Sequence, residues 1–495
     1  MAEVELKFDI ALADVRRLRR ARVLAGVKSR TESLLALYFD TPDEVLAAHG
    51  MALRLRREGR QWIQTLKGGG GVTGGLHARE EWESPSEDGS LDLARWRDTP
   101  LGALPDAATL HERLAVLFQV EVERTTWNVR PARGVALEVA LDVGEVRHGA
   151  ASDAVCEVEI EHKAGPQGAV FELARHLLDE VRLVPSAVTK AQRGYRLARQ
   201  ETLQPAHARP AALAHAMTPA QGAAAVLGAA LAQLLANAEG VAKSEDAEFV
   251  HQLRVALRRA RSALQTFAPV LGKAQARELR AALKATTAVA GRARDLDVFA
   301  TQTLPAMAQA TSTPIDDARL ARRLHAARRR ARRKLVAALA SRKLALAVLG
   351  VSRIAQAGAH HGGDGGVAPY CAARLAKAAR GLRAASSDFA SLDAAGRHRL
   401  RIRAKRLRYA LDACAPLFGA KRVKHYTAML SLLQDALGDA NDARVAAALL
   451  GEMGAARAWE RAARRWLAQR EEEAARRAVP CLERLRDARP PWEKH

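Results

Sequence analysis

The sequence His251-Gln-Leu-Arg254-Val-Ala-Leu-Arg258-Arg259-Ala-Arg261 recurs 147 residues later as His398-Arg-Leu-Arg401-Ile-Arg-Ala-Lys405-Arg406-Leu-Arg408. A second matched segment follows each histidine at the same distance, starting at Gly291 in the first copy and at Gly438 in the second. Two unrelated basic helices would not be followed by the same second segment at the same distance. The C-terminal half is therefore an internal duplication.

Each copy predicts a helix with a cationic face. A rotation of 100° per residue places His251, Arg254, Arg258 and Arg261 within roughly 80° of arc. The second copy repeats this stripe with His398, Arg401, Lys405 and Arg408. Aromatic residues make up only 4% of the chain, so the bases of a nucleic acid would find few side chains to stack on. The stripes therefore favour a chain of phosphates without bases and argue against nucleic acid as the partner.

The positive charge of the chain is unevenly distributed. The formal net charge is +23 over 495 residues. Residues 1–200 contain 28 Lys and Arg against 30 Asp and Glu, whereas the remaining residues contain 50 against 25. This asymmetry indicates two domains with different partners, the second partner being a polyanion. A compositional bias toward arginine is the alternative, but it would have raised the charge of the first 200 residues as well.

The domain boundary is predicted where Pro205 and Pro210 interrupt the periodic patterns. The glycine-rich segment 358–366 separates the two basic repeats in the same way. The predicted organisation is a first domain at 1–202, a linker at 203–217 and a helical domain at 218–490, with repeats at about 218–355 and 368–490.

Cysteine spacing and apolar stretches exclude several classes of protein. The four cysteines are scattered without CxxC spacing, so neither a zinc site nor a disulfide framework is indicated. The N-terminus lacks the pattern of a signal peptide, and apolar stretches such as Ala223–Leu235 are too short to span a bilayer. We expect a cytoplasmic protein without a membrane span.

Four segments of the first domain alternate between apolar and charged residues, as strands do. They are Val4–Phe8, Leu53–Arg56, Leu137–Asp142 and Cys156–Glu161. Ordinary surface strands with one face in water would explain any one of them. The almost purely ionisable character of every charged face fits better with a closed barrel that has a charged interior. Helices within 9–25 and 169–184 would then cover its apolar outside.

The charged faces carry the groups needed to bind a metal ion and phosphates. Carboxylates at two-residue spacing repel one another unless a cation lies among them, and hard divalent ions take such oxygen ligands. Basic residues suited to neutralising a chain of phosphates are Arg54, Arg56, Lys67, Arg79, Arg124, Lys190 and Arg193. The pattern indicates a compact, highly negative, metal-chelating substrate such as a nucleoside or inorganic polyphosphate.

Five blocks of the first 200 residues are Glu3-x-Glu5-x-Lys7, Tyr38–Pro42, Leu53–Arg56, Gln64–Gly68 and Thr189–Tyr195. These blocks and their order resemble those of the CYTH superfamily, the triphosphate tunnel metalloenzymes. The resemblance implies an eight-stranded antiparallel β tunnel with flanking helices. It also implies Mg²⁺ or Mn²⁺ held by carboxylates of the first and late strands, here Glu3, Glu5, Asp142, Glu157, Glu159 and Glu161, with the choice of pair among the last three left open.

The second half resembles the CHAD domain, the conserved histidine α-helical domain, over about residues 215–490. The resemblance rests on the His-x-x-Arg-x-x-x-Arg-Arg helix, on the segment Arg294–Val298 and on the duplication. It implies two pseudo-symmetric four-helix bundles with a basic channel that binds inorganic polyphosphate. The second repeat departs from the first, since Asn441 replaces Arg294 and Arg444 replaces Asp297.

Together the two resemblances imply an α+β protein that hydrolyses inorganic triphosphate in its tunnel and binds polyphosphate through its helical domain. Glu5 and Lys7 are the implied catalytic residues, and an association with polyphosphate granules is expected. Adenylate cyclase or thiamine-triphosphatase activity in the same tunnel is one alternative, although no pocket for a base or thiazolium is evident. A non-catalytic polyphosphate-binding scaffold is another, but a pure anion binder gains nothing from a row of glutamates.

Overall fold

The structure, a computed structural model, describes residues 2–73, 76–105, 107, 109–311, 318–359, 365–454 and 457–493. Within these ranges the side chains of residues 2, 3, 69–73, 77–79, 311, 359, 457 and 458 lie outside the description. The chain forms two compact units, the first comprising Met1–Gln204 with Ala340–Arg353 and the second Pro205–Leu339 with Ile354–His495.

The first unit is built on an antiparallel sheet. Its strands are β1 Ala2–Ile10, β2 Ser29–Asp40, β3 Ala52–Glu58, β4 Gln61–Thr73, β5 Leu76–Ser86, β6 Ala115–Val129, β7 Ala136–His148, β8 Ala151–Ala164 and β9 Leu183–Pro185. Their order is β5-β4-β3-β2-β6-β7-β8-β1-β9. The predicted antiparallel sheet is confirmed, and the described residues contain a ninth short strand, because β9 adds to the second half of β1. The first half of β1 also pairs with β5, which stands at the opposite end of the order.

Alternation along the strands separates an apolar face from a charged face. Val4, Leu6 and Phe8 of β1 are buried in a cluster with the apolar side of the helix Ala169–Glu180. The intervening Glu5 and Lys7 face the other way, because successive strand side chains point to opposite faces. The helices of this part of the chain are α1 Val15–Arg19, α2 Val45–Ala48, α3 Leu110–Arg113, α4 Ala169–Glu180 and α5 Lys190–Ala198.

The second unit is helical, as predicted. Its first repeat contains α6 Pro219–Lys243, α7 Ala247–Thr266, α8 Ala268–Leu271, α9 Lys273–Val298, α10 Leu304–Thr311 and α11 Ala318–Leu339, and α12 Arg342–Ala359 follows. The second repeat contains α13 Val367–Ala385, α14 Ala394–Cys414, α15 Ala420–Met453 and α16 Arg457–Asp487. Each cationic stripe lies on the second long helix of its repeat, and α7 packs against α14. The two stripes are therefore brought together by the fold.

Helix α6 is longer than the apolar stretch that the sequence suggested. By length and composition it could cross a membrane, but 67% of its most apolar window is buried inside the protein. Core helices of globular domains have the same character.

Most of α12 belongs to the first unit, although the sequence placed residues 218–355 in the first helical repeat. Ala345 and Leu349 are buried in the apolar cluster that contains Phe8 of β1. Arg342 forms an ion pair with Asp179, and Arg353 lies 2.7 Å from Glu172, both on α4. The unit that carries the charged sheet is therefore completed by a segment far along the chain.

Candidate functional site

The charged face of the sheet encloses a cavity of about 240 Å³. Its wall contains side chains from eight strands, β1 to β8, and from α5. The charged residues that line it are Glu5, Lys7, Arg54, Arg56, Lys67, Glu81, Glu83, Arg124, Glu138, Asp142, Glu159, Glu161, Lys163 and Lys190. Both signs of charge therefore meet in one small space.

Strand register assembles the carboxylates of this cavity into rows across β7, β8 and β1. Asp142 lies opposite Glu157, and Glu157 lies opposite Asp9. Two residues along, Glu159 lies opposite Lys7. A further two residues along, Glu161 lies opposite both Glu138 and Glu5. Directly opposed side chains are about 5 Å apart at Cβ, so each row brings several ionisable groups into contact range.

Three cations lie among the carboxylates. The Lys7 ammonium is 2.8 Å from Glu157 and 3.1 Å from Glu159. Lys190, from the first turn of α5, is 2.6 Å from Asp142, and it also contacts both glutamates. Arg124 lies 2.6 Å from Asp142 and 2.9 Å from Glu159. The carboxylates are thus neutralised by side chains of the same cavity.

Mutual attraction keeps these groups ionised despite burial. Burial by itself lowers the pKa of Lys7 and of Lys190, but the neighbouring carboxylates outweigh it and both pKa values are raised. Burial alone raises the pKa of Asp142, yet Arg124 and Lys190 bring that pKa below its usual value. The pKa of Glu159 is lowered for the same reason. The cavity therefore holds full charges at neutral pH.

The opposite wall carries a second set of cations. Arg54 is 3.3 Å from Glu81, Lys67 is 3.2 Å from Glu81, and Arg56 is 3.4 Å from Glu83. These ion pairs hold the basic side chains at the cavity surface. Phosphate oxygens are strong partners for such cations.

Most of the predicted site residues meet in this cavity, and two do not line it. Arg193 turns to Asp9 at 3.2 Å and Asp153 at 3.1 Å instead. Glu157 lies beneath the cavity wall and is fully buried. The side chains of Glu3 and Arg79, predicted to bind metal and substrate respectively, lie outside the described part of the chain.

Several residues line the cavity without having been assigned to the site from sequence, among them Glu81 and Glu83 of β5. Glu138 and Lys163 lie on the charged face of β7 and β8, where the alternation could have revealed them. Tyr38 accepts a hydrogen bond from Arg54, and its ring stacks on Phe118 at 4.7 Å between centroids. Burial would raise the pKa of Tyr38, but Arg54 and Lys190 outweigh this and lower it. Alternation gave no signal for Tyr38, because a tyrosine in a strand is usually a packing residue.

The carboxylates of the cavity fit a divalent metal ion. Asp142, Glu157 and Glu159 each have an oxygen within 4.8 Å of the others. Neither oxygen of Glu157 accepts a hydrogen bond of good geometry from a described residue, although cations lie nearby. Buried charges are costly without such partners. Hard cations such as Mg²⁺ take oxygen ligands of this kind.

The helical unit contains a second charged site, formed by both repeats. Arg254 and Arg258 of α7 act electrostatically on Arg401 and Lys405 of α14, since charges from the opposite stripe contribute to the lowered pKa values of Arg254, Arg401 and Lys405. We call these four residues the cationic cluster. Arg254 lies 3.6 Å from Asp295, and the equivalent Arg401 lies 3.7 Å from Asp442. The second matched segments thus supply one carboxylate to each stripe.

The remaining stripe residues extend from the cationic cluster. His398 Nδ1 is 3.1 Å from Asn441 Oδ1, whereas His251 lies near Arg294. Burial lowers the pKa of both histidines, and the neighbouring arginines contribute. Arg261 lies near Arg280 and Arg406. Arg408 pairs with Asp412 of its own helix at 3.7 Å.

Comparisons with known proteins match two successive parts of the chain. The CYTH domain family matches residues 1–195, and the CHAD domain family matches residues 225–451. A protein of Haemophilus influenzae named inorganic triphosphatase is 33% identical over 168 residues, which are 34% of this chain and 46% of that protein. The chain thus spans about half the length of this curated relative.

Solved structures similar to parts of the chain include the CHAD domain from the plant Ricinus communis. That match has 28% identity and a TM-score of 0.49, and it covers 59% of this chain and 99% of the plant one. HpAC1 from Hippeastrum, a protein with a dominant triphosphatase activity, matches with 20% identity and a TM-score of 0.31, covering 41% of this chain and 97% of its own. On the family matches, residues 1–195 are a CYTH domain and residues 225–451 are a CHAD domain.

Proposed function

We propose that the CYTH domain hydrolyses inorganic triphosphate with the help of a divalent metal ion. The observation that carries the proposal is the cavity of about 240 Å³, where a carboxylate cluster on β1, β7 and β8 faces cations on β3, β4, β6 and α5. A small polyanion and a metal ion together match this distribution of charge. The name of the Haemophilus influenzae relative supports the same activity.

The carboxylates that line the cavity are the proposed metal ligands. They are Glu5, Glu159 and Glu161, with Asp142 beside them, and Glu3 stays a ligand implied by the sequence resemblance alone. Glu159 and Glu161 are the pair that lines the cavity. Glu157 is proposed to reach the ion from beneath the wall, because its carboxylate lies within 4.8 Å of those of Asp142 and Glu159. A bound Mg²⁺ or Mn²⁺ supplies charge neutralisation and a lowered pKa for water.

The chain's own cations are proposed to exchange partners when substrate binds. Lys7, Lys190 and Arg124 now neutralise carboxylates, and Arg54, Arg56 and Lys67 are held by Glu81 and Glu83. A phosphate chain offers these cations a more highly charged partner. Negative charge that develops on the phosphates during hydrolysis is then stabilised by groups already in position.

The competing functions differ in what the cavity must contain. Adenylate cyclase and thiamine triphosphatase need a surface for a base or a thiazolium ring. Among the described residues that line the cavity the only aromatic side chain is Tyr38, and its ring stacks on Phe118. A non-catalytic scaffold has no use for the carboxylate cluster, which costs energy to bury near bound phosphate.

Phosphate release from four substrates tests the proposal. Triphosphate, ATP, thiamine triphosphate and long-chain polyphosphate are incubated separately with the protein, with Mg²⁺ and with a chelator. We expect Mg²⁺-dependent release that is fastest with triphosphate. If ATP or thiamine triphosphate is hydrolysed faster than triphosphate, that compound is the substrate of the cavity. If none of the four compounds releases phosphate, the non-catalytic scaffold is the supported function.

We propose further that the CHAD domain binds inorganic polyphosphate through the cationic cluster. Four cations from two helices lie together, and Asp295 and Asp442 are the carboxylates that pair with them among the described residues. The excess positive charge matches a polyanion. Binding should weaken steeply with salt, because each phosphate contact releases condensed counterions.

Competition with single-stranded DNA tests the choice of polyanion. Polyphosphate carries its charges without intervening sugars, whereas the bases of single-stranded DNA add affinity mainly where aromatic side chains stack on them. We expect polyphosphate to bind at least about tenfold more tightly than DNA of equal total charge, roughly 1.4 kcal/mol. A displacement titration at physiological salt measures this ratio. Equal displacement by DNA would support nucleic-acid binding instead.

A further inference from the structure

Lys405 occupies an unusual position within the cationic cluster. It is half-buried on α14, and among the described residues no carboxylate lies within ion-pair distance of its ammonium. By contrast, Arg254 and Arg401 each have an aspartate nearby. An ammonium confined among guanidinium groups without a counter-ion is electrostatically unfavourable.

The charges around Lys405 come from several helices. Arg254 and Arg258 face it from α7, Arg401 from its own helix and Asp442 from α15. Asp295 of α9 is near Arg254 and Arg401. Helix α13 packs on another side of α14, where Arg403 donates a hydrogen bond to the Gly381 carbonyl. Residues 403 and 405 are separated by 200° of helix rotation, so α13 lies on a different side of α14 from Lys405. The charges that act on Lys405 are those of three arginines and of Asp442.

We propose that Lys405 makes polyanion binding by the CHAD domain proton-coupled: it is largely uncharged in the free protein and takes up a proton when phosphates bind beside it. This inference rests on the proposed polyphosphate-binding function. Arginines stay charged at any physiological pH, so the lysine is the member of the cluster that can relieve the repulsion by losing a proton. Bound phosphates would supply the missing negative charge and restore the ammonium.

The direction of the pH dependence follows from linkage. Burial and the charges of Arg258 and Arg401 lower the pKa of Lys405 to about 6. Phosphates bound beside it would raise this pKa. The affinity for polyphosphate therefore rises as the pH falls from the pKa that Lys405 has in the complex toward its pKa in the free protein, about 6. Below that value the affinity levels off. His251 and His398 have lowered pKa values as well, so in the free protein they gain charge only toward the acidic end.

The test is an equilibrium titration of the full-length protein with long-chain polyphosphate at constant ionic strength and without divalent metal. We expect at least about tenfold tighter binding at pH 6.5 than at pH 8.5, since one proton gives up to tenfold per pH unit. Calorimetry in two buffers of different ionisation enthalpy should show proton uptake approaching one per site at pH 7.5. The variant Lys405→Arg, whose side chain stays charged, should lose most of the pH dependence.

The control is Lys334→Arg, at an exposed lysine on α11, which should retain the wild-type pH profile. The charge of polyphosphate changes with pH in the same way for every variant, so its effect on affinity cancels when the variants are compared. An unchanged pH dependence in Lys405→Arg, or equal wild-type affinity at pH 6.5 and 8.5, would overturn the proton coupling while polyphosphate binding itself stands. No binding at either pH would overturn the polyphosphate proposal and the coupling with it.

Discussion

Substitution of Glu159 by glutamine is expected to reduce kcat for triphosphate in Mg²⁺ at least about a thousandfold, roughly 4 kcal/mol of transition-state stabilisation. Glu159 lines the cavity, and it contacts Lys7, Lys190 and Arg124 at 3.1, 3.1 and 2.9 Å. The amide removes a negative metal ligand and also leaves three cations with less counter-charge. Glu5→Gln, which alters the adjacent row opposite Glu161, should produce a loss of similar size.

Phosphate release and thermal unfolding, measured on the same preparations, check this prediction. The matched control is Glu123→Gln, which changes a glutamate on the opposite face of β6 whose side chain is 61% exposed. That variant should retain wild-type turnover. Near-wild-type rates for Glu159→Gln and Glu5→Gln in Mg²⁺ would show that the metal ligands are assigned incorrectly.

Reversal of both equivalent arginines, Arg254→Glu with Arg401→Glu, is expected to weaken polyphosphate binding at least about a hundredfold, roughly 2.7 kcal/mol. The two side chains come from different repeats and meet in the cationic cluster. Reversal removes two phosphate contacts and places two carboxylates beside Asp295 and Asp442. The slope of affinity against salt should fall as well, by about one for each lost contact.

The same double reversal at Arg329 and Arg330 separates a defined site from bulk charge. These arginines are exposed on α11, outside the duplicated segments. Both double variants change the net charge equally, and binding is compared by titration at several salt concentrations. Equal losses from the two variants would mean that total charge, not the cationic cluster, attracts the polyanion.

Alternation along the chain predicted much of the cavity. Glu5, Lys7 and Glu159 had to share charged strand faces, because the side-chain period of a strand is two residues. Register could not be predicted from these segments, since it depends on pairing between strands far apart in sequence. The placement of Glu161 opposite both Glu5 and Glu138 therefore emerges only in the folded sheet.

Arg193 does not line the cavity, although its helical spacing from Lys190 predicted that it would. It stands one turn after Lys190 in α5, so the same role was expected for both. Lys190 reaches the carboxylates of the cavity, whereas Arg193 pairs with Asp9 and Asp153. The acidic partner from β8 lies 40 residues earlier in the chain, and nothing local in the helix indicates it. Spacing along one helix predicts the side of the helix on which a residue lies. It does not predict which part of the protein packs against that side.

The duplication predicted two basic stripes but not their mutual burial. A charged stripe on a helix is usually solvated, yet Arg401 is only 8% exposed because α14 packs against α7. The interaction between Arg254, Arg258 and Lys405 therefore depends on how the repeats meet. The burial of these side chains depends on how the two repeats pack, so the sequence of either repeat alone does not predict it.

The position of α12 has a consequence for how the protein is made. Residues 345 and 349 complete an apolar cluster whose other members belong to the first 200 residues. Domains generally fold as units while the chain is synthesised from its N-terminus. The CYTH unit therefore cannot finish packing until the ribosome has translated past Leu349, when much of the CHAD domain's first repeat has already emerged. Because α12 is translated late, the first unit completes its packing late, although its first strand is translated at the start of the chain.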